Sequence, residues 1–144
     1  MIKWGIVGLG NMASRFANAI KEVNNAKLVA VSSQSNSKLD LFASENNINS
    51  ELRFNNYKSL AECKEIDAVY ISTLNNTHSH LISLFAVNKK NILCEKPFCI
   101  NIEEGGKIKK LIEDNNVKFF EAIAYLSHPQ TDEILTLIKN DEIG

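Results

Sequence analysis

Ile2-Lys3-Trp4-Gly5-Ile6-Val7-Gly8-Leu9-Gly10-Asn11-Met12-Ala13 is the stretch that decides the fold. Ile2–Val7 is a short, mostly apolar run that stops at a glycine, the pattern of a buried strand. From Asn11 to Val23 the apolar residues Met12, Phe16, Ala19, Ile20 and Val23 recur at helical spacing. The turn between them reads G-x-G-x-x-A. Gly8 permits the tight turn, Gly10 allows a pyrophosphate to come close to the backbone, and Ala13 is small enough for the helix to pack on the sheet. Free N–H groups at the start of that helix can bind phosphate. The motif needs a strand before it, a helix after it and a second strand about twenty residues on, and all three are present.

Outward from this corner, strand and helix patterns alternate. Lys27–Ser33 reads as a strand, Ser37–Asn46 as a helix, Glu51–Phe54 as a short strand and Ser59–Cys63 as a short helix. Asp67–Ser72 is a strand, and Thr77 is placed to cap a helix that runs to Val87. Asn91–Cys94 is a strand, Asn101 or Ile102 to Glu113 a helix, Val117–Ala122 a sixth strand, and Gln130–Lys139 a last amphipathic helix. Alternation of this kind predicts parallel strands joined by right-handed crossover helices, an α/β doubly wound sheet.

The 144 residues suit one domain, with a hydrophobic fraction of 44%, a charged fraction of 23% and a net charge of −1. A chain without basic surplus is not expected to bind nucleic acid or an anionic membrane. The N-terminus has no signal-peptide pattern, and no apolar run nears the ~20 residues of a membrane span. Cys63, Cys94 and Cys99 have neither zinc-site nor C-x-x-C spacing, so they read as reduced thiols of a cytoplasmic protein. No metal site is expected: His80 and His128 lack partners at ligand spacing.

In an open sheet of this type ligands gather outside the carboxyl ends of the strands. Leu9, Asn11 and Met12 join Gly8 and Gly10 as pyrophosphate-binding positions. After the second strand come Ser32, Ser33 and Gln34, with Lys38 beyond. A carboxylate there would hold an NAD ribose and repel a 2′-phosphate. The hydroxyls and the cation tilt the reading toward NADP, while Ser33 and Gln34 could equally hold an NAD ribose through neutral hydrogen bonds.

Two further segments carry a family resemblance. Asp67-Ala-Val-Tyr-Ile-Ser-Thr-Leu-Asn-Asn-Thr-His78 is followed by Leu93-Cys-Glu-Lys-Pro-Phe98 and then by Glu121-Ala-Ile-Ala-Tyr-Leu-Ser-His-Pro-Gln130. In this order, after G-x-G-x-x-A, they resemble the glucose–fructose oxidoreductase / inositol dehydrogenase (Gfo/Idh/MocA) family over essentially the whole chain. The resemblance implies a Rossmann domain over residues 1–122 that binds NAD(P), and an exit segment with its helix over 123–144. It implies that Thr73, Leu74, Asn75 and His78 lie along the cofactor. Glu95-Lys96-Pro97 matches the family's E-K-P element, with Glu95 and Lys96 both expected to bind the cofactor, Lys96 as the catalytic residue near the nicotinamide and the reacting hydroxyl, and a cis bond before Pro97. Tyr125 and His128-Pro129 match the segment leading out of the domain. Leu74 stands where many relatives have proline, and Leu126 where relatives often have arginine.

Relatives usually continue past an Ile-Gly like Ile143-Gly144 into an α+β domain that supplies the substrate pocket, a proton-accepting histidine and the dimer interface; that second domain is absent from this sequence. The resemblance therefore implies the nucleotide-binding part of an oxidoreductase that moves a hydride between a nicotinamide cofactor and a sugar, inositol or related hydroxyl compound in a full-length form. The other reading is a catalytically inactive module that binds or senses a dinucleotide, since fold does not fix function. The apolar face of the last helix, uncovered, would favour self-association as a homo-oligomer.

Overall fold

The computed structural model describes residues 1–143. Its centre is a parallel six-stranded sheet in the order β3-β2-β1-β4-β5-β6. β1 is Ile2–Val7, β2 Ala26–Ser32, β3 Arg53–Phe54, β4 Ala68–Ile71, β5 Asn91–Glu95 and β6 Phe119–Ala122. This is the doubly wound Rossmann arrangement, and its strand order reverses between β1 and β4, where a crevice opens.

Alternation along each strand divides the core in two. Ile6, Val31 and Tyr70 face one side and meet Ala13 and Ala17 of α1 (Asn11–Lys21) and Leu39 and Phe42 of α2 (Asn36–Glu45). Val7, Ala30, Val69, Ile71, Ile92 and Cys94 face the other. That side is covered by α3 (Tyr57–Glu62), α4 (Asn75–Val87) and α5 (Ile102–Asn115), through Leu60, Phe85 and Ile108. A side chain such as Phe85, fully buried, contributes roughly 1.5–3 kcal/mol by leaving water. Over β5 and β6 the first side has, among the described residues, no helix comparable to α1 and α2, which leaves Phe120 65% exposed. The last helix, α6 (Pro129–Lys139), follows a 3-10 turn at Ala124–Ser127 and has no buried residue.

Several expected boundaries are corrected. Glu51–Phe54 is not one strand. Asn49 accepts from the Glu51 amide and winds Ser50–Leu52 into a 3-10 turn, so only Arg53 and Phe54 pair with β2. The sixth strand begins at Phe119, because Asn116 takes a left-handed conformation (φ 53) and the Val117 amide still donates back to Ile112. α1 ends at Lys21, two residues before Val23, where the Glu22 and Val23 amides close short turns on Ala19 and Ile20. Thr77 does not cap α4: the helix begins at Asn75, and the Thr77 hydroxyl lies 2.7 Å from both the Leu74 carbonyl and the Thr73 hydroxyl. Gly144 lies outside the described residues.

Among the described residues no helix is long and apolar enough to cross a membrane, and no group of three or more His, Cys, Asp or Glu could hold a metal ion. Cys63, Cys94 and Cys99 are free. Burial, helped by Glu95 and Glu121, pushes the Cys94 thiol up to about 12, so it stays a neutral core group.

Candidate active site

The register lines up the carboxyl ends of the strands. Val7 sits opposite Ser32 and Ile71, Ile71 opposite Cys94, and Glu95 opposite Ala122. Gly8, Ser33, Thr73 and Lys96 therefore emerge along one edge of the sheet, as expected for ligand-binding positions.

Gly8 and Gly10 are glycines for different reasons. Gly8 has φ +84, and a Cβ on it would stand 2.7 Å from Thr73 Cγ2 and 2.8 Å from the Ser72 carbonyl oxygen. The Ser72 hydroxyl donates to the Gly8 carbonyl at 2.7 Å, and the Gly8 amide donates to Ser32 at 3.2 Å. This glycine is held by the protein's own packing. Gly10 is extended (φ −103, ψ −166), and a Cβ there would meet nothing within 4 Å. Its missing side chain leaves open space in front of the helix, the cradle that a pyrophosphate needs and that a Cβ would partly fill.

The helix behind that space is unsatisfied. Ser14 donates to the Gly10 carbonyl at 3.2 Å, so the amides of Asn11, Met12 and Ala13 lack a helical partner. Gly10 itself supplies no side-chain cap. By contrast α2, α3, α5 and α6 are capped by Ser35, Asn56, Asn101 and His128. α4, the other helix that opens at the crevice, is also uncapped, with Leu74 at its cap position and 74% exposed. Free N–H groups and the positive end of the α1 dipole make this mouth suited to an anion.

The remaining expected positions divide. Leu9, Asn11, Met12, Gln34, Leu74, Asn75 and Lys96 are partly or fully exposed at the carboxyl edge. Thr73 is half-buried, with its hydroxyl beside that of Thr77. Lys38 is exposed on α2, its amide facing the Ser35 hydroxyl at 3.5 Å. Ser33 is 6% exposed, and its hydroxyl accepts from the Ser35 amide at 3.2 Å. Two more side chains are buried. Ser32 is fully buried, and its hydroxyl has no partner in the protein. His78 is 1% exposed, with its ring between the carbonyls of Pro97 and Thr73. As the last strand residue and a helix residue turned inward, neither presents its side chain to the crevice.

Lys96 follows β5, is exposed, and makes no hydrogen bond or ion pair among the described residues. The bond to Pro97 is cis. Glu95 is turned the other way, into the uncovered side of the sheet, where it accepts a 2.5 Å hydrogen bond from Tyr70. Tyr70 stacks on Phe16 at 4.1 Å between ring centroids, and Phe16 meets Trp4 edge-on at 5.2 Å. Burial, then Glu95, drives the Tyr70 phenol far above its ordinary range. Phe16, Tyr70 and Glu95, with Leu93, Lys96, Phe120 and Tyr125, line an open cavity of about 1040 Å³. The sequence reading gave no role to Tyr70, Phe16 or Glu121. The signal for Tyr70 was its place in the period-2 alternation of β4, which sets it on the same side as Glu95.

Residues 2–123 match the profile of the GFO_IDH_MocA oxidoreductase family, NAD-binding Rossmann fold. The chain is 30% identical over 145 residues to trans-1,2-dihydrobenzene-1,2-diol dehydrogenase of Danio rerio, covering 99% of this chain and 43% of that protein. It is 30% identical over 134 residues to scyllo-inositol 2-dehydrogenase (NADP(+)) of Bacillus subtilis (strain 168), covering 93% and 40%. Among solved structures, scyllo-inositol dehydrogenase from Lactobacillus casei with bound cofactor NAD(H) and scyllo-inositol superposes with a TM-score of 0.91 at 27% identity, covering all of this chain and 42% of that one. The chain thus spans less than half the length of these relatives.

Proposed function

The chain belongs to the GFO_IDH_MocA oxidoreductase family, and from that membership we propose that it binds NAD(P) in the crevice between β1 and β4 and serves hydride transfer to or from a sugar, inositol or related polyol. The observation that carries the cofactor part is the mouth of α1: three amides without helical partners stand behind a glycine whose absent Cβ leaves only open space. The family profile, and relatives whose names and structures carry NADP(+) or NAD(H), support the same reading.

In this reading the amides of Leu9 to Met12 hold the pyrophosphate. Thr73, Leu74 and Asn75 form the opposite lip. Gln34 and the region of Ser33 and Lys38 meet the adenosine ribose. No carboxylate stands at that position, so a 2′-phosphate meets hydroxyls and one ammonium, which favours NADP. Bound nicotinamide supplies the hydride chemistry. Lys96 supplies the charge chemistry: its ammonium would orient a substrate hydroxyl by donating to the oxygen and stabilise the negative charge that develops there, while the hydroxyl proton would pass to the proton-accepting histidine that the resemblance places in the second domain. Glu95 stays with Tyr70, so its carboxylate supports the strand end and leaves the ammonium to the crevice.

The test is titration of the chain with NADPH and NADH, followed by nucleotide fluorescence or calorimetry. Saturable binding is expected with the reduced nucleotides, tighter for NADPH. No binding at millimolar nucleotide refutes the proposal.

A further inference from the structure

His78 is one of the few buried polar side chains in the molecule. Its Nδ1 lies 2.8 Å from the Pro97 carbonyl oxygen and its Nε2 3.2 Å from the Thr73 carbonyl oxygen. A carbonyl can only accept and a neutral imidazole carries one N–H, so the ring donates to one of the two carbonyls while its other nitrogen packs against the second. The two carbonyls belong to different loops. Thr73 lies in the loop that follows β4, one lip of the crevice, and Pro97 in the turn that carries Lys96. The β4–β5 ladder ends at Ile71 and Cys94. Beyond it, among the described residues, the imidazole is the one side chain that reaches polar atoms of both residues 73–77 and 96–98. On its other side the turn is tied to β6, where the Phe98 amide donates to Glu121 at 3.0 Å.

We propose that His78 is a positioning residue, which couples the loop after β4 to the Lys96–Pro97 turn so that a ligand seated against the first also fixes the ammonium on the second. The inference rests on the nucleotide reading of the crevice. It replaces direct cofactor contact by His78 with a role one layer below the surface. The geometry suits that role. A flat, rigid ring wedged between two carbonyls, hydrogen-bonded to one and in contact with the other, keeps them at a fixed separation, which a flexible side chain would not. Buried in the first half of α4 and packed among core residues, the ring has little freedom to follow one loop without moving the other.

The experiment uses ADP, which carries the adenosine and pyrophosphate parts of the cofactor and lacks both the second ribose and the nicotinamide, so it reaches the Leu9–Met12 amides without extending to Lys96. Hydrogen–deuterium exchange of the full chain is followed by mass spectrometry with and without saturating ADP. In the wild type, exchange is expected to slow at residues 9–12 and, through His78, at least threefold at residues 98–100. In His78→Leu, slowing at 9–12 is expected to persist while that at 98–100 disappears. His78→Gln, whose flexible side chain can donate to one carbonyl but does not wedge the two at a fixed separation, is expected to lose at least half of the transmitted effect, and it decides the matter if His78→Leu does not fold. A purely structural histidine would alter melting temperature without changing this transmission. Slowing at 9–12 with none at 98–100 in the wild type overturns the coupling, as does equal transmission in wild type and variants. Absence of any slowing at 9–12 in the wild type refutes the nucleotide reading, and the coupling with it.

Discussion

Alanine at Gly8 and alanine at Gly10 should fail in opposite ways, although both residues belong to one motif. At Gly8 the backbone has φ +84, and the added Cβ would lie 2.7 Å from Thr73 Cγ2 and 2.8 Å from the Ser72 carbonyl. A left-handed conformation costs a non-glycine residue about 1–2 kcal/mol, and forcing an atom into a packed site costs about 1–3 kcal/mol more. Ser72 is also tied to the Gly8 carbonyl through its hydroxyl, so the obstructing backbone has little room to retreat. For a chain of this size each kcal/mol moves the melting temperature by about 4 °C, so Gly8→Ala should melt roughly 8–20 °C below the wild type.

At Gly10 the conformation is extended and the Cβ meets no protein atom within 4 Å. Gly10→Ala should therefore leave stability within about 0.5 kcal/mol or raise it by up to about 1 kcal/mol, because alanine restricts the unfolded chain. The cost should appear in binding. A methyl group in front of the free amides holds a phosphate away from them, and hydrogen bonds to a charged acceptor contribute about 1.5–3 kcal/mol. NADPH affinity should fall about 10- to 150-fold. Melting followed by circular dichroism and titration followed by NADPH fluorescence separate the two effects. A Gly10→Ala variant that binds like the wild type, or a Gly8→Ala variant that melts like it, would show that the reasoning is wrong.

Three further outcomes follow from the geometry. Tyr70→Phe removes the hydroxyl that donates to Glu95 at 2.5 Å, so unfolding in urea should show a loss of about 1–2 kcal/mol; an unchanged midpoint would mean that water replaces the hydroxyl at no cost. On the alkaline side, Cys94 is held protonated to about 12 against an ordinary 9.0, and Tyr70 is shifted the same way. The unfolded chain loses these protons first, so stability should fall as pH rises from about 9 toward 12, and a flat stability curve across that window would contradict the burial of both groups. Ser33→Asp places a carboxylate at the end of β2 and should lower the ratio of NADPH to NADH affinity at least tenfold; an unchanged ratio would place the 2′-phosphate elsewhere.

Much of the fold was legible because it depends on periodicity. The apolar run of Ile2–Val7, the spacing of Phe16 and Ile20, and the order of the segments were sufficient for a parallel sheet with helices on both sides. Boundaries were less legible where one side chain competes for a backbone group. The Asn49 carboxamide takes the Glu51 amide and removes two residues from β3, and Asn116 adopts a left-handed conformation that delays β6. At the site, position along the chain could be read but direction could not. Ser32 and Ser33 are neighbours at a strand end, yet both are buried, with Ser33 engaged by its own loop and Ser32 by nothing. His78 lies three residues into α4, on the helix face that turns toward the sheet. Glu95 and Lys96 are adjacent, but the Glu95 carboxylate is bonded to Tyr70 on the sheet face while Lys96 is exposed at its edge.

What distinguishes the crevice physically is a set of polar groups that the chain declines to satisfy. Four of the six α-helices close their first turns with a side chain of their own, from Ser35, Asn56, Asn101 and His128. An N-cap of that kind stabilises a helix by typically ~1 kcal/mol over alanine and by a few tenths of a kcal/mol over glycine. The two helices that forgo it, α1 and α4, both begin at the carboxyl edge on either side of the point where strand order reverses. A serine at position 10 could cap α1, since a Cβ there meets no obstruction. A residue that would stabilise the free protein is therefore sterically allowed and not used. The stability forgone there is explained if the amides of α1 find their acceptor in a ligand, and that makes Gly10→Ser a sharper probe than alanine: it should raise the melting temperature slightly while weakening NADPH binding at least as much as alanine does, because its hydroxyl competes for the same N–H groups as the phosphate. If Gly10→Ser instead binds NADPH as well as the wild type does, those amides are not the phosphate site.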